Sequence, residues 1–248
     1  SKNAIATVGG NLRNFLRITH TAGQHKKLFF KSEEFSFGPE AADTIALNDD
    51  QIARIYALDL APVSTQVRDV FVLGCFIGLR AKDLRRMNEY KVRGNLLEIL
   101  THKKKVSVVI PLHPIAREII NKYGEGNLPV IKGNNFDILL PGICKKAGLK
   151  DEHLISITKG GVKTSKYYPT YDLVSAHTSR RSFATNAYRA GIPISKIILI
   201  TGHKTEMSFR RYIRIEKEDN AQELTKHPFF TGGPKEKKRK AKNIGSVE

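Results

Sequence analysis

The chain has 248 residues, 40% of them apolar, which is enough for one large domain, or one domain plus a fragment, with a buried core. Lys and Arg total 42 against 24 Asp and Glu, a formal charge of +18, and a field of that sign draws polyanions, nucleic acid before others. No apolar run approaches a membrane span and no charged segment leads into an apolar one at the N-terminus, which argues against membrane insertion or secretion and makes a cytoplasmic setting the expectation.

In chain order, "NAIATVGGNLRNFLRITHTAG" places Ile5, Val8, Leu12, Phe15 and Leu16 at helical spacing, with Gly9 and Gly10 as weak points. It reads as one helix taken from a larger bundle. Because the first residue is Ser1 and not Met, a processed or shortened chain is expected, with something missing upstream. Residues 26–46 are irregular, broken at Gly38-Pro39, and read as a linker. Asn48 then offers an N-cap for a helix with acidic residues in its first turn, and "STQVRDVFVLGCFIGLRAKDLRRM" continues as a long apolar helix reaching Gly78.

Between Lys91 and Leu112 the period becomes extended, with two aliphatic runs flanking Lys103-Lys104-Lys105. This predicts a small hairpin or three-stranded sheet with a lysine-rich turn. "HPIAREIINKY" and "NNFDILLPGICKKAGL" are further helices, the second expected to be bent or started late by Pro141. "EHLISITKGGVKTSKYYPTYDLVSA" is extended and turn-rich, and the last helices lie in "AHTSRRSFATNAYRAGIPISKIILITGHKTEMSFRRYIRI". The basic run "GPKEKKRKAK" has no apolar period and is expected to be disordered in isolation. The sum is a mixed fold, mainly α-helical, with a small antiparallel β-sheet. Cys75 and Cys144 have no second Cys or His at ligand spacing, which argues against a zinc site or a disulfide framework and makes both expected buried thiols.

The final helical stretch carries the chemistry. Ser175 can cap a helix whose apolar face is Phe183, Ala184, Ala187 and Tyr188, ended by Gly191, so His177 and Arg180 share a face of its first turn. Free amides, an imidazole and a guanidinium there suit a phosphate, although an isolated H-x-x-R is more often a solvated polar face. The next helix stops at Gly202, His203 sits in a turn, and Thr205 can cap a helix with Met207, Phe209 and Ile213 inward. Tyr212 stands beside that stripe, with Arg210, Arg211 and Arg214 close in sequence. Most tyrosines fill cores or interfaces. A phenol becomes a nucleophile toward a phosphodiester only when cations meet the growing charge and a base takes its proton, and the surrounding residue types fit those tasks. With no acidic cluster at metal-binding spacing, side chains would supply the positive charge.

In this arrangement the sequence resembles the tyrosine recombinases, the site-specific integrases of phages and conjugative transposons. "GLRAKDL" resembles the family's first arginine box and makes Arg80 its arginine; "HTSRRSFAT" gives His177 and Arg180, "TGH" gives His203, and "FRRYIR" gives the nucleophile Tyr212. The family's catalytic lysine sits on a β-turn before a strand ending in Pro-Leu. Lys103 fits by counting back from Pro111-Leu112, with Lys104 and Lys105 left open. The likeness is collective, covers roughly residues 48–220, and in wording is most like integrases of Bacteroidetes mobile elements. It divides the chain into residues 1–45, a remnant of a helical core-binding domain plus linker; 46–230, a tyrosine recombinase catalytic domain; and 231–248, a basic tail.

The resemblance implies a bacterial, DNA-associated enzyme that needs no cofactor and no metal. Tyr212 would form a 3′-phosphotyrosyl link, Arg80 and Arg180 would clamp the non-bridging oxygens, and Lys103 would protonate the leaving oxygen. His177 would take the tyrosine proton or hold the phosphate, His203 would hydrogen-bond it, and Asp83 would orient a cation. The implied partner is double-stranded DNA, bound by a homotetramer, with host DNA-bending or directionality factors besides. Lys163, Lys166 and Arg181, with Lys104, Lys105, Arg85, Arg86 and Lys91, are expected phosphate contacts or surface solubilisers. The alternatives are a type IB topoisomerase, which uses a similar residue set, and a non-catalytic DNA-binding module, which has no need of Tyr212 within reach of His203.

Overall fold

The computed structural model describes residues 2–32, 35, 44–84, 90–100, 107–159, 162–210, 212–213, 221, 224–225 and 228–231. Two compact units divide the chain, Ser1–Ile213 and Arg214–Glu248. In the second, the described residues include one helical turn, Pro228–Thr231, in which the Phe229 and Phe230 rings meet edge-on. The basic run expected to form a tail lies outside the described residues.

The first unit opens with α1 (Lys2–Thr21), and a 3-10 turn at Phe29–Lys31 follows. The apolar stripe of α1, Ile5, Val8, Leu12 and Phe15, is exposed. Next, α2 (Asp49–Tyr56) starts at Asn48, whose side chain accepts from Gln51 N while the Gln51 side chain accepts from Asn48 N. That reciprocal cap satisfies two otherwise orphaned amides. The centre of this unit is α3 (Pro62–Ile77), where a long apolar run buries Val67, Val70, Phe71, Val72, Leu73, Cys75 and Ile77. Gly74 lets α3 approach α4 (Ala81–Leu84) and α8 (Ala176–Arg189) closely, since a Cβ there would stand 2.6 Å from Leu84 Cδ1 and 2.9 Å from Ser179 Oγ.

The extended region forms β1 (Tyr90–Arg93), β2 (Leu96–Leu100) and β3 (Ser107–Pro111), an antiparallel sheet in sequence order. Alternation sends Tyr90, Leu97, Ile99, Val108 and Ile110 into the core and leaves Leu96, Leu100 and Val109 outside. The segment expected to form a lysine-rich turn connects the paired ends Leu100 and Ser107, and Lys103, Lys104 and Lys105 lie outside the described residues, as do Arg85 and Arg86.

Helix α5 (Pro114–Tyr123) is capped by His113, which accepts from Ile115 N and stacks on Phe76 with ring centroids 4.0 Å apart. Together α3 and α5 enclose a charged cluster. The fully buried Asp69 accepts from Arg68 Nε at 2.8 Å, Lys122 Nζ at 2.8 Å and Tyr123 OH at 2.8 Å, while Arg68 also donates to Leu58 O. A buried carboxylate persists where donors replace its water, as they do here. Helix α6 (Asn135–Lys146) does not start late: Pro141 lies inside it, and burial of Phe136, Leu140, Ile143 and Cys144 outweighs the missing amide. Both cysteines are free and buried, and burial pushes the Cys75 thiol up and that of Cys144 up to about 12. The hairpin β4 (Glu152–Lys159) and β5 (Val162–Pro169) is antiparallel and leads into α7 (Thr170–Leu173). After α8 come α9 (Ile194–Thr201) and α10 (Glu206–Arg210). Among the described residues no helix is long and apolar enough to cross a membrane.

Candidate active site

Two helix ends and one helix start make the site. Helix α3 stops at Gly78 and α9 at Gly202, both left-handed, with φ of 65° and 64°. An L side chain is strained in that region, and at Gly78 a Cβ would also stand 2.3 Å from the Phe183 ring. Each helix end leaves carbonyls without an intrahelical partner and carries the negative end of the peptide dipoles. Guanidinium groups fill both roles. Arg180 Nη1 donates to Gly78 O at 2.8 Å, its Nη2 donates to Thr201 O, and Arg80 Nη2 donates to Gly202 O at 3.2 Å. One arginine thereby joins the ends of α3 and α9.

Arg180 comes from the first turns of α8, which is fixed to the rest of the fold by its polar face. Ser175, the N-cap residue, donates its N–H to Thr178 Oγ1 at 3.0 Å. Further along, Ser182 Oγ accepts from Leu47 N at 2.8 Å, and Asn186 Nδ2 donates to Leu47 O at 3.1 Å and to Asp49 Oδ1 at 3.0 Å. Only 2% of Arg180 is exposed, yet among the described residues its Nε has no hydrogen-bond partner. Burial, and then the nearby Arg80, lower its pKa to about 10, opposed by Tyr212 and Asp83. It therefore stays cationic at neutral pH. A buried cation with a spare donor is a poor component of a core and a good receptor for an anion.

Tyr212 sits in a turn after α10, whose start is capped by Thr205 Oγ1 accepting from Ser208 N at 3.1 Å. Phe209 is fully buried and anchors α10, with Ile213 partly buried against the same cluster. Met207 points outward, contrary to the expectation from spacing, because α10 is only five residues long and buries just Phe209. The Tyr212 hydroxyl hydrogen-bonds His177 Nε2 at 3.0 Å, and its ring meets the rings of His177 and His203 edge-on at 5.4 Å and 4.5 Å. The guanidinium carbons of Arg180 and Arg181 lie 5.7 Å and 5.8 Å from its centroid, within cation–π reach.

Among the described residues the cations over the Tyr212 ring come from α8. Arg210 pairs with Glu206 at 3.9 Å, and Arg211 and Arg214 lie outside the described residues. Burial first, then Arg181, Arg180 and Arg80, lower the pKa of His177 to about 4. It is neutral at pH 7, and in the tautomer with its proton on Nδ1 the Nε2 lone pair accepts from the phenol and can take its proton. Arg80, His177, Arg180, His203 and Tyr212 are therefore brought together. Lys163 and Lys166 stand elsewhere, exposed on β5, with Lys166 Nζ 5.8 Å from the Tyr168 ring centroid.

Sequence reasoning missed Thr201, whose Oγ1 lies 2.8 Å from His203 Nδ1; the signal was its place directly before Gly202-His203. It also missed the carbonyls of Gly78 and Thr201, which no side-chain motif records.

Residues 46–219 match the model of the phage integrase family. The chain belongs to the phage integrase family. Solved structures with the same fold include a lambda integrase (residues 75–356) dimer bound to a COC′ core site, at a TM-score of 0.59 and 18% identity over 86% of this chain and 76% of that one. The Tn1549 transposon integrase in complex with circular intermediate DNA gives 0.56 and 15% over 90% and 79%. The XerH site-specific recombinase in a post-cleavage complex with its palindromic difH substrate gives 0.54 and 14% over 77% of this chain. Of that XerH chain, this one covers 54%. No protein of curated function matches. Family membership and shared fold agree with the mainly helical architecture and small antiparallel sheet expected from the sequence, to which the structure adds the two-stranded β4–β5.

Proposed function

We propose that this member of the phage integrase family is a site-specific tyrosine recombinase that cuts and rejoins duplex DNA through a 3′-phosphotyrosyl intermediate, in the integration or excision of a mobile element. The observation that carries the reading is the hydrogen bond of 3.0 Å from Tyr212 to a neutral His177, beside the buried, partly unpartnered guanidinium of Arg180. A nucleophile, its base and an anion receptor meet within one chain, which supports attack by each protomer's own tyrosine.

In the proposed step the Tyr212 oxygen attacks phosphorus. A bond from phosphorus to the phenolic oxygen forms, the bond to the 5′ oxygen breaks, the phenol proton passes to His177, and the leaving oxygen takes a proton from Lys103. Arg80 and Arg180 hold the non-bridging oxygens and His203 hydrogen-bonds the phosphate. Return attack by a 5′-hydroxyl reverses each transfer, so bond energy is kept. The partners proposed are duplex DNA and further copies of this chain. Structures of relatives, which include a lambda integrase tetramer bound to a Holliday junction, support that reading.

A nicked duplex carrying the element's crossover site tests it, incubated with the protein and its Tyr212→Phe variant in EDTA and resolved on a denaturing gel. A slow-migrating covalent adduct is expected with tyrosine and absent with phenylalanine. Binding without any adduct on the crossover duplex overturns the catalytic reading, and relaxation of supercoils without strand exchange replaces it with a topoisomerase.

A further inference from the structure

The hydrogens around His203 can be assigned by donor and acceptor count. Arg180 Nη2 lies 3.4 Å from His203 Nε2, and a guanidinium has only donors. Nε2 must therefore be the accepting nitrogen, which puts the ring proton of neutral His203 on Nδ1. Nδ1 lies 2.8 Å from Thr201 Oγ1. The Thr201 hydroxyl has a single hydrogen, and it is donated to Ile197 O at 2.9 Å, which leaves an oxygen lone pair for the Nδ1–H. The three hydrogens that link Arg180 Nη2 to His203, His203 Nδ1 to Thr201 and Thr201 Oγ1 to Ile197 each have an acceptor.

Thr201 is held where this matters. It is 1% exposed, ends α9 directly before the left-handed Gly202, and gives its carbonyl to Arg180. The same residue thus fixes the guanidinium through its backbone and the imidazole through its side chain. From the surrounding elements His203 meets Arg180 of α8, Thr201 of α9, Phe209 of α10 and Tyr212.

We propose that Thr201 is a positioning residue for the reaction: its hydroxyl holds the His203 proton on Nδ1 and keeps the Nε2 lone pair turned toward Arg180. Resting on the recombinase reading, this makes His203 a hydrogen-bond acceptor that steadies Arg180 before DNA arrives. It becomes a donor to a phosphate oxygen only on taking a second proton at Nε2 from solvent, in an equilibrium separate from the transfers to His177 and from Lys103. Which ring nitrogen carries the proton is set by the bond the other nitrogen makes, and Thr201 supplies that bond.

Long-range 1H–15N NMR of the imidazoles reads the tautomer without DNA, with His203 assigned by its loss in His203→Gln. The wild-type chain is expected to show the proton on Nδ1, Thr201→Ser to keep it there, and Thr201→Val to move it wholly or partly to Nε2. Adduct formation on the nicked duplex should fall at least about tenfold in Thr201→Val and stay within about threefold in Thr201→Ser, the scale on which groups orienting a working histidine act. A wild-type proton on Nε2, or a Thr201→Val chain that keeps Nδ1–H or cleaves at the wild-type rate, overturns the proposal. Where Thr201→Val fails to fold, the wild-type tautomer and the Thr201→Ser rate decide it. Lack of adduct in the wild type is a failure of the recombinase reading, and the tautomer is read independently of it.

Discussion

At the scale of single residues, His177 and Arg180 sit on one turn of α8 and are driven by one field to different ends. Burial and three arginines keep the imidazole neutral, while the guanidinium, of far higher intrinsic pKa, keeps its charge. NMR titration of the DNA-free protein should place the His177 midpoint near 4 instead of 6.5. Arg181→Gln should raise that midpoint, since Arg181 is the largest charge effect after burial. The unfolded chain binds this proton more readily than the folded one, so the His177 contribution is complete above about pH 6.5 and declines as pH falls toward about 4. A midpoint at or above 6.5 would place His177 in a wetter site than the one described.

Secondary-structure elements fix the site because their ends, more than their faces, carry it. Gly78→Ala brings backbone strain and a collision with Phe183 together, and should lower the free energy of unfolding by roughly 3 kcal/mol in urea titration. Because Gly78 O accepts from Arg180, the variant should also slow adduct formation beyond what its loss of stability accounts for. Much of this was legible in the sequence. The Asn48 cap, the stop of α3 at Gly78, the stop of α9 at Gly202 and the extended period across β1 to β3 are local signals, written within a few residues of where they act. Reading Met207 inward failed because a helical period has little meaning over the five residues of α10. Among the described residues the cations over the Tyr212 ring come from α8, more than thirty residues earlier in sequence, and adjacency in sequence gives no sign of them. The bonds from Arg180 to the ends of α3 and α9 could not be read at all, since backbone carbonyls have no letter.

For the whole molecule, a charge of +18 sets how it meets a polyanion. Fluorescence anisotropy of a labelled duplex should give affinity falling steeply with salt, with the logarithm of the binding constant linear in the logarithm of salt concentration. The exposed Lys163 and Lys166 on β5 are expected phosphate contacts. Replacing both by Ala should weaken binding across sequences and reduce that slope by about 1 to 2; an unchanged slope would make the hairpin a solubilising surface. Arg180 has a consequence of another kind. It braces two helix ends with the same group proposed to receive the anion, so losing it leaves buried carbonyls unpaired besides removing that receptor. A Tyr212→Phe chain is therefore expected to stay folded, while an Arg180→Ala chain is expected to unfold at lower urea and to be cut faster by a protease.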